Sequence, residues 1–214
     1  MSTSLASSRY ERRRRETAER LVEAAATLFG ERGVEATTVA DICARADVAH
    51  QTFFNHFPSK RDLVREITRI GHGFFLEAVE TAVREGRSTG ERLARLFSSI
   101  HVAAAGAGPM HQDLISETFR EALAVREGER ERAIHLAFER LIRRGRGEGD
   151  VSRDHAIEDQ AALIFGAFSQ LMFEWAHRPD FPIAERFARM ARLLADALAP
   201  RQRTLRKQAR TSLT

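Results

Sequence analysis

Covalent and metallic bracing are all but missing from this chain. Cys43 is the single cysteine in 214 residues, so it has no disulfide partner, and no CxxC or Cys/His spacing offers a zinc site. Long apolar runs are missing too. The longest resemble Ala161 to Phe168, far short of the roughly 20 residues a membrane helix needs. No apolar stretch follows the arginines near the N-terminus, as a secretory signal would require, so the expected location is the cytoplasm, with no membrane partner. Alternating apolar and polar residues never persist, so strands are not expected. No internal repeat is visible. Neither Gly106-Ala107-Gly108 nor Gly145 to Gly149 ends in the Lys-Ser/Thr of a phosphate loop, and no HExxH helix is present. These absences argue against an enzyme, and no metal or cofactor is expected.

What is present is charge and helical periodicity. Hydrophobic content is 43% and charged content 30%, ordinary for a globular protein, while the net charge is +4 and the sequence pI about 10.1. The distribution says more than the total. Arg9, Arg12, Arg13, Arg14 and Arg15 crowd one short segment; Arg201, Arg203, Arg206, Lys207 and Arg210 crowd another that holds no acid. Basic terminal arms suit a polyanion, although solvated tails have the same composition.

The apolar stripe Ala18, Leu21, Val22, Ala25, Leu28 and Phe29 predicts a first helix over about 16–32, stopped by Gly33. Thr38, with Asp41 three residues on, reads as a capping pair for a short helix over 39–46. A turn at Asp47-Val48-Ala49 leads to a third helix over 50–56. Ser59 with Asp62 caps a long fourth helix carrying Leu63, Ile67, Ile70, Phe74 and Ala78 to about Arg84. Gly71 and Gly73 inside it mark either close packing or a bendable point. Further helices are expected over about 90–105, 109–124, 127–144, 153–177 and 182–199, with both Gly-rich stretches as turns.

The second and third helices meet the steric recipe of a helix-turn-helix. Cys43 supplies the small residue at the crossing, beside Ile42 and Ala46. Asp47 stands where the turn needs a left-handed backbone, and Phe53 is placed to anchor the third helix inward. His50, Gln51, Thr52 and Asn55 then stay free for base edges or phosphates, with Arg45 and Ala49 beside them.

Residues 37–60, Thr-Thr-Val-Ala-Asp-Ile through Ala-Asp-Val-Ala-His-Gln-Thr-Phe-Phe-Asn-His-Phe-Pro-Ser-Lys, resemble the signature of TetR-family regulators, as does the preceding Ala26 to Gly33. The resemblance covers about 50 residues; beyond it only length and helical layout agree. It implies that Thr38 bonds a backbone phosphate, that His50, Gln51, Thr52 and Asn55 lie in or beside the major groove, that Phe54 and His56 stand at aromatic or phosphate-contacting positions, and that Lys60 holds a phosphate. Asp47 departs from the usual turn glycine, Ala49 from a frequent Ser or Thr, and Phe54 from a frequent Tyr.

Two seams mark the C-terminal region. Ile157, Ala161, Ile164, Phe168, Leu171 and Trp175 follow a 4-3-4-3-4 spacing; Ile183, Phe187, Met190, Leu194 and Ala197 follow 4-3-4-3. Such seams suit a four-helix dimer interface, or packing inside one chain. The resemblance implies a ligand cavity among the middle helices, for which Phe74, Phe97, Ile100, Met110, Leu114, Phe119, Phe138, Phe165, Phe168 and Met172 are candidate apolar walls and His101, His111 and Gln112 candidate polar anchors; the same residues would also serve as core. The expected protein is thus all-α with about nine helices: a flexible basic arm (1–15), a three-helix helix-turn-helix DNA-binding domain (16–60), a helical ligand-binding and dimerisation domain (61–200) and a basic tail (201–214). Its expected partners are a palindromic double-stranded operator, a small apolar effector and a second copy of itself. The alternative is a DNA-binding activator or architectural protein without an effector.

Overall fold

Short-range caps set the first elements. The Thr38 hydroxyl accepts the Asp41 N–H at 3.2 Å while the Asp41 carboxylate accepts the Thr38 N–H at 2.9 Å, a reciprocal capping box. The helix this opens ends at Asp47, whose φ of 52° is left-handed. Ser59 accepts the Asp62 N–H and starts the next long helix. The computed structural model describes residues 2–105, 108, 110–111, 113–115, 129–178 and 180–201. Among them run α1 (Ser2–Arg32), α2 (Val39–Ala46), α3 (His50–His56), α4 (Lys60–Glu85), α5 (Thr89–Ala105), α6 (Glu129–Glu148), α7 (Ile157–His177) and α8 (Ile183–Leu198), and no strand. Phe119, Gln112 and residues 202–214 lie outside the described residues.

Two hydrophobic cores form. The first gathers Leu21, Leu28 and Phe29 of α1, Ile42 and Cys43 of α2, Phe53 of α3 and Leu63, Val64 and Ile67 of α4. The second gathers Phe75, Val79 and Ala82 of α4 with side chains of α5 to α8. At about 1.5–3 kcal/mol for each fully buried large apolar side chain, these clusters are the main source of cohesion. The cores change over within α4, between Ile67 and Phe75, rather than at the expected boundary after residue 60. The buried stripe of α4 therefore rotates about the helix axis as it passes from one core to the other. Ile70 and Phe74, read as part of one straight stripe, are left 48% and 49% exposed.

Two further expectations are corrected. The segment 1–15, read as a flexible arm, is helical from Ser2. Gly145 to Gly149, read as a turn, is mostly helix: α6 runs to Glu148. Gly145 is there for close approach, since a Cβ would come 2.2 Å from Thr89 Oγ1 and 2.5 Å from Val151 Cγ2. Gly71 and Gly73 show no such approach: a Cβ at either would meet nothing within 4 Å among the described residues. Gly86-Arg87-Ser88-Thr89-Gly90 spells G-x-S-x-G, but a helix precedes it and Ser88 Oγ accepts the Glu91 N–H as a cap. No helix among the described residues is long and apolar enough to cross a membrane.

Candidate nucleic-acid interface

Seven residues make α3, and only Phe53 among them is buried. Its ring meets Phe54 edge-on at 5.2 Å and Phe57 at 6.0 Å, which pins α3 against the first core. Cys43 is buried at the α2–α3 crossing, and burial pushes its thiol pKa up, so it is a packing residue and not a nucleophile. The outward side of the pair carries Thr38, Arg45, Ala49, His50, Gln51, Phe54 and Asn55, all exposed, with Thr52, His56 and Lys60 half-buried. Gln51 Nε2 donates to Asn55 Oδ1 at 3.3 Å. That leaves the Asn55 amide N–H groups and the Gln51 carbonyl pointing away from each other's bond, a donor and an acceptor of the kind that read adenine in the major groove. His50 packs edge-on against Phe54 at 5.0 Å.

Three members of the face have prior engagements, of which the sequence revealed only the pairing of Thr38 with Asp41. The Thr38 hydroxyl donates to Asp41 at 2.7 Å, so it bonds a phosphate only by releasing that carboxylate. The Thr38 hydrogen bonds, with Arg32 beside them at 2.9 Å, hold the Asp41 carboxyl below the usual carboxylate range. The Lys60 ammonium, read as a phosphate holder, donates to the Val34 and Thr37 carbonyls at 3.0 Å each and thereby clamps the α1–α2 connection; one N–H remains to spare. Arg45 pairs with Glu31 at 3.4 Å, with both side chains about half exposed, an ion pair weak enough to exchange for a phosphate. Burial, followed by the nearby Arg14 charge, pushes the His56 imidazole pKa down.

Residues 21–67 match the family model "Bacterial regulatory proteins, tetR family". The chain thus carries the DNA-binding domain of the TetR family of transcriptional regulators. It is 29% identical over 181 residues to the HTH-type transcriptional regulator TcmR of Streptomyces glaucescens, covering 81% of this chain and 70% of that one. It is 49% identical over 49 residues to the HTH-type transcriptional repressor KstR2 of Rhodococcus jostii, an alignment spanning 23% of this chain and 24% of that protein. A TetR-family transcriptional regulator from Pectobacterium atrosepticum shares the fold, with TM-score 0.71 and 22% identity over 87% of this chain and 96% of that one. The chain is thus a DNA-binding transcriptional regulator, and its relatives are not enzymes. No group of three or more His, Cys, Asp or Glu among the described residues could hold a metal.

In this regulator the C-terminal seams face inward. Ala161, Ile164 and Leu171 of α7 are fully buried, and Ile183, Phe187 and Leu194 of α8 nearly so, while Ile157, Phe168, Trp175 and Met190 pack partly buried against the same core. The buried members, Ala161, Ile164, Leu171, Ile183, Phe187 and Leu194, are thus core residues of one chain, whereas Ile157, Phe168, Trp175 and Met190 keep some surface and Ala197 is exposed. The 3-4 spacing reports that a stripe is buried, not against which neighbour. The outward positions of these helices are Ala162, Leu163 and Gly166 on α7 and Ala188 and Leu193 on α8; Leu163 is 49% and Leu193 61% exposed.

The expected cavity walls divide in the same way. Phe97, Ile100 and Phe138 are buried in the second core, with Phe165, Phe168 and Met172 packed on it. Phe74 points out, and its neighbour Phe75, absent from the expected set, takes the inward place, 5.0 Å from Phe168 and 5.9 Å from Phe138. Phe168 also reaches Phe97 and Phe187. Met110 and Leu114 are corrected outright: they pack on the first core, not the second. His101 Nδ1 is shielded from solvent with no hydrogen-bond partner among the described residues.

Proposed function

We propose that this protein is a homodimeric repressor that occupies a palindromic operator through paired α3 helices and leaves it when a small apolar molecule enters the α4–α8 domain. The observation that carries the reading is α3 itself: one apolar anchor faces in, and a polar rim of His50, Gln51, Thr52 and Asn55 faces out. On this reading residues up to Ile67 form the reading head, the second core forms the sensor, and the protein works in the cytoplasm beside the chromosome. Two heads on a two-fold axis would read half-sites about 34–36 Å apart. The exposed leucines Leu163 and Leu193, flanked by Ala162, Gly166 and Ala188, supply an apolar surface on α7 and α8 for the second copy. The cluster of Phe75, Phe97, Phe138 and Phe168, with the unsatisfied His101 Nδ1 as a polar hook, favours an apolar or aromatic effector. Release follows if the effector binds better to a state whose heads are wrongly spaced.

The test is capture of genomic fragments by the purified protein, sequenced with and without cell-extract metabolite fractions. A palindromic site that is lost with one fraction supports a ligand-released repressor. Sharp binding that no fraction disturbs favours the effector-free DNA binder, and absence of selective binding overturns the reading. The Leu163→Glu, Leu193→Glu double variant should sediment as a folded monomer; a persisting dimer would move the interface elsewhere.

A further inference from the structure

The helix α1 is longer than its core requires. Its packed residues begin at Ala18 and Leu21, yet it is helical from Ser2, so about 16 residues, or roughly 24 Å, project beyond the first core. Arg9 to Glu16 are all exposed, and five arginines against two glutamates leave a net charge of +3 in that stretch. The projection has a defined direction. Tyr10 and Arg14 continue the stripe of Leu21, Ala25 and Leu28 at spacings of 4, 7, 4 and 3, the stripe that faces the rest of the reading head. Arg14 lies close enough to His56, the last residue of α3, for its charge to act on that imidazole. The overhang therefore begins beside the C-terminal end of the recognition helix, with Arg14 turned toward it and the other arginines distributed around the projecting helix. Arg12 pairs there with Glu16 at 3.5 Å, an exposed pair that exchanges readily.

We propose that the N-terminal overhang of α1 is a rigid DNA clamp, in which Arg14 and its neighbouring arginines neutralise phosphates flanking the half-site read by α3. This rests on α3 being the reading element. It adds a second, sequence-independent contact that is held in register by a continuous helix, in place of the loose arm that the composition suggested. Duplex DNA is the partner the placement favours, because the charge stands beside the helix that enters the groove. Each neutralised phosphate adds about 0.9 to the slope of affinity against salt.

The experiment compares the full chain, its Arg14→Gln variant and a variant with Gln at positions 9, 12, 13, 14 and 15, which keeps helix propensity and removes five charges. Fluorescence anisotropy across a salt series is read on a random-sequence 30-base-pair duplex and on the duplex captured by the full chain, with far-UV circular dichroism confirming the helix. The clamp predicts that the fivefold variant loses at least about two units of salt slope and about tenfold in affinity on both duplexes, with its preference between them unchanged, and that Arg14→Gln alone loses about one unit. Unchanged slopes would overturn it. Loss of preference at unchanged slope would also overturn it, by making the arginines base readers. If the full chain captured no duplex selectively while the arginines still set the slope on random DNA, the operator reading would fall and the clamp would stand.

Discussion

Ala49 opens α3 with an extended backbone, φ −67° and ψ 149°, but offers no side-chain acceptor; the Thr52 N–H donates to the Ala49 carbonyl at 2.8 Å, and no side chain of Ala49 caps the first turn of the recognition helix. Ala49→Ser should supply the missing cap and raise stability by about 1 kcal/mol, read as a shift in the urea midpoint at constant slope. No shift would mean that the start of α3 is already satisfied. Two residues earlier, Asp47 holds a left-handed turn that glycine would take without strain, and it places a carboxylate on the exposed face. Features of this kind were legible in the residues alone, because caps and turns depend on neighbours within four positions: Thr38 with Asp41, Ser59 with Asp62, and Asp47 all stand as read. Long-range engagements were not. Nothing near Lys60 in the chain announces that its ammonium would close on carbonyls 23 and 26 residues away.

Between elements, one buried ion pair ties three helices. Arg92 of α5 is 1% exposed and meets Glu148 of α6 at 2.6 Å, while its guanidinium also donates to the Gly86 carbonyl after α4 at 2.7 Å. Removing one partner of a buried pair commonly costs about 3–5 kcal/mol; because Glu148 is itself 30% exposed, Glu148→Gln should cost about 2 kcal/mol. Hydrogen bonding from Arg92, helped by Arg144, holds the Glu148 carboxyl below the usual glutamate range. A carboxyl with a folded pKa below its unfolded value stabilises fully above the unfolded value, near pH 4.3, and loses that contribution as pH falls through the lowered folded value. Urea midpoints from about pH 6 down to about pH 3 should therefore converge for the parent and Glu148→Gln; parallel lines would sink the assignment. Helix existence was legible from periodicity, but not which way each apolar face turns. The Gly145 that looked like a break is a site of close approach, and the inward place expected of Phe74 belongs to Phe75. The α4 stripe rotates because that helix serves two cores in succession, a fact of the whole fold and not of any window within it.

At the scale of the whole molecule, the two cores are joined by more than α4. Residues 108, 110–111 and 113–115 dock on the reading head: Gly108 sits so close to α1 that a Cβ there would come 2.3 Å from the Gly30 carbonyl oxygen, Asp113 accepts the Val34 N–H at 2.8 Å, and Met110 and Leu114 pack on the first core. From the same stretch His111 stacks on Trp175 of α7, with ring centres 3.8 Å apart and planes 11° from parallel. Any movement of the head against the second core must slide that imidazole across the indole. Trp175 is the only tryptophan in the chain, so its emission reports on this one site, the His111 stack and the edge of the second core, without labelling. If binding DNA selects a particular placement of the heads, adding the captured duplex should change the tryptophan emission in step with the anisotropy of a labelled duplex. His111→Leu should bind the same duplex with the emission change abolished or greatly reduced. Emission that stayed flat in the parent while anisotropy recorded full binding would show that the head and α7 keep their relation on DNA, and release by an effector would then need a route other than this strap.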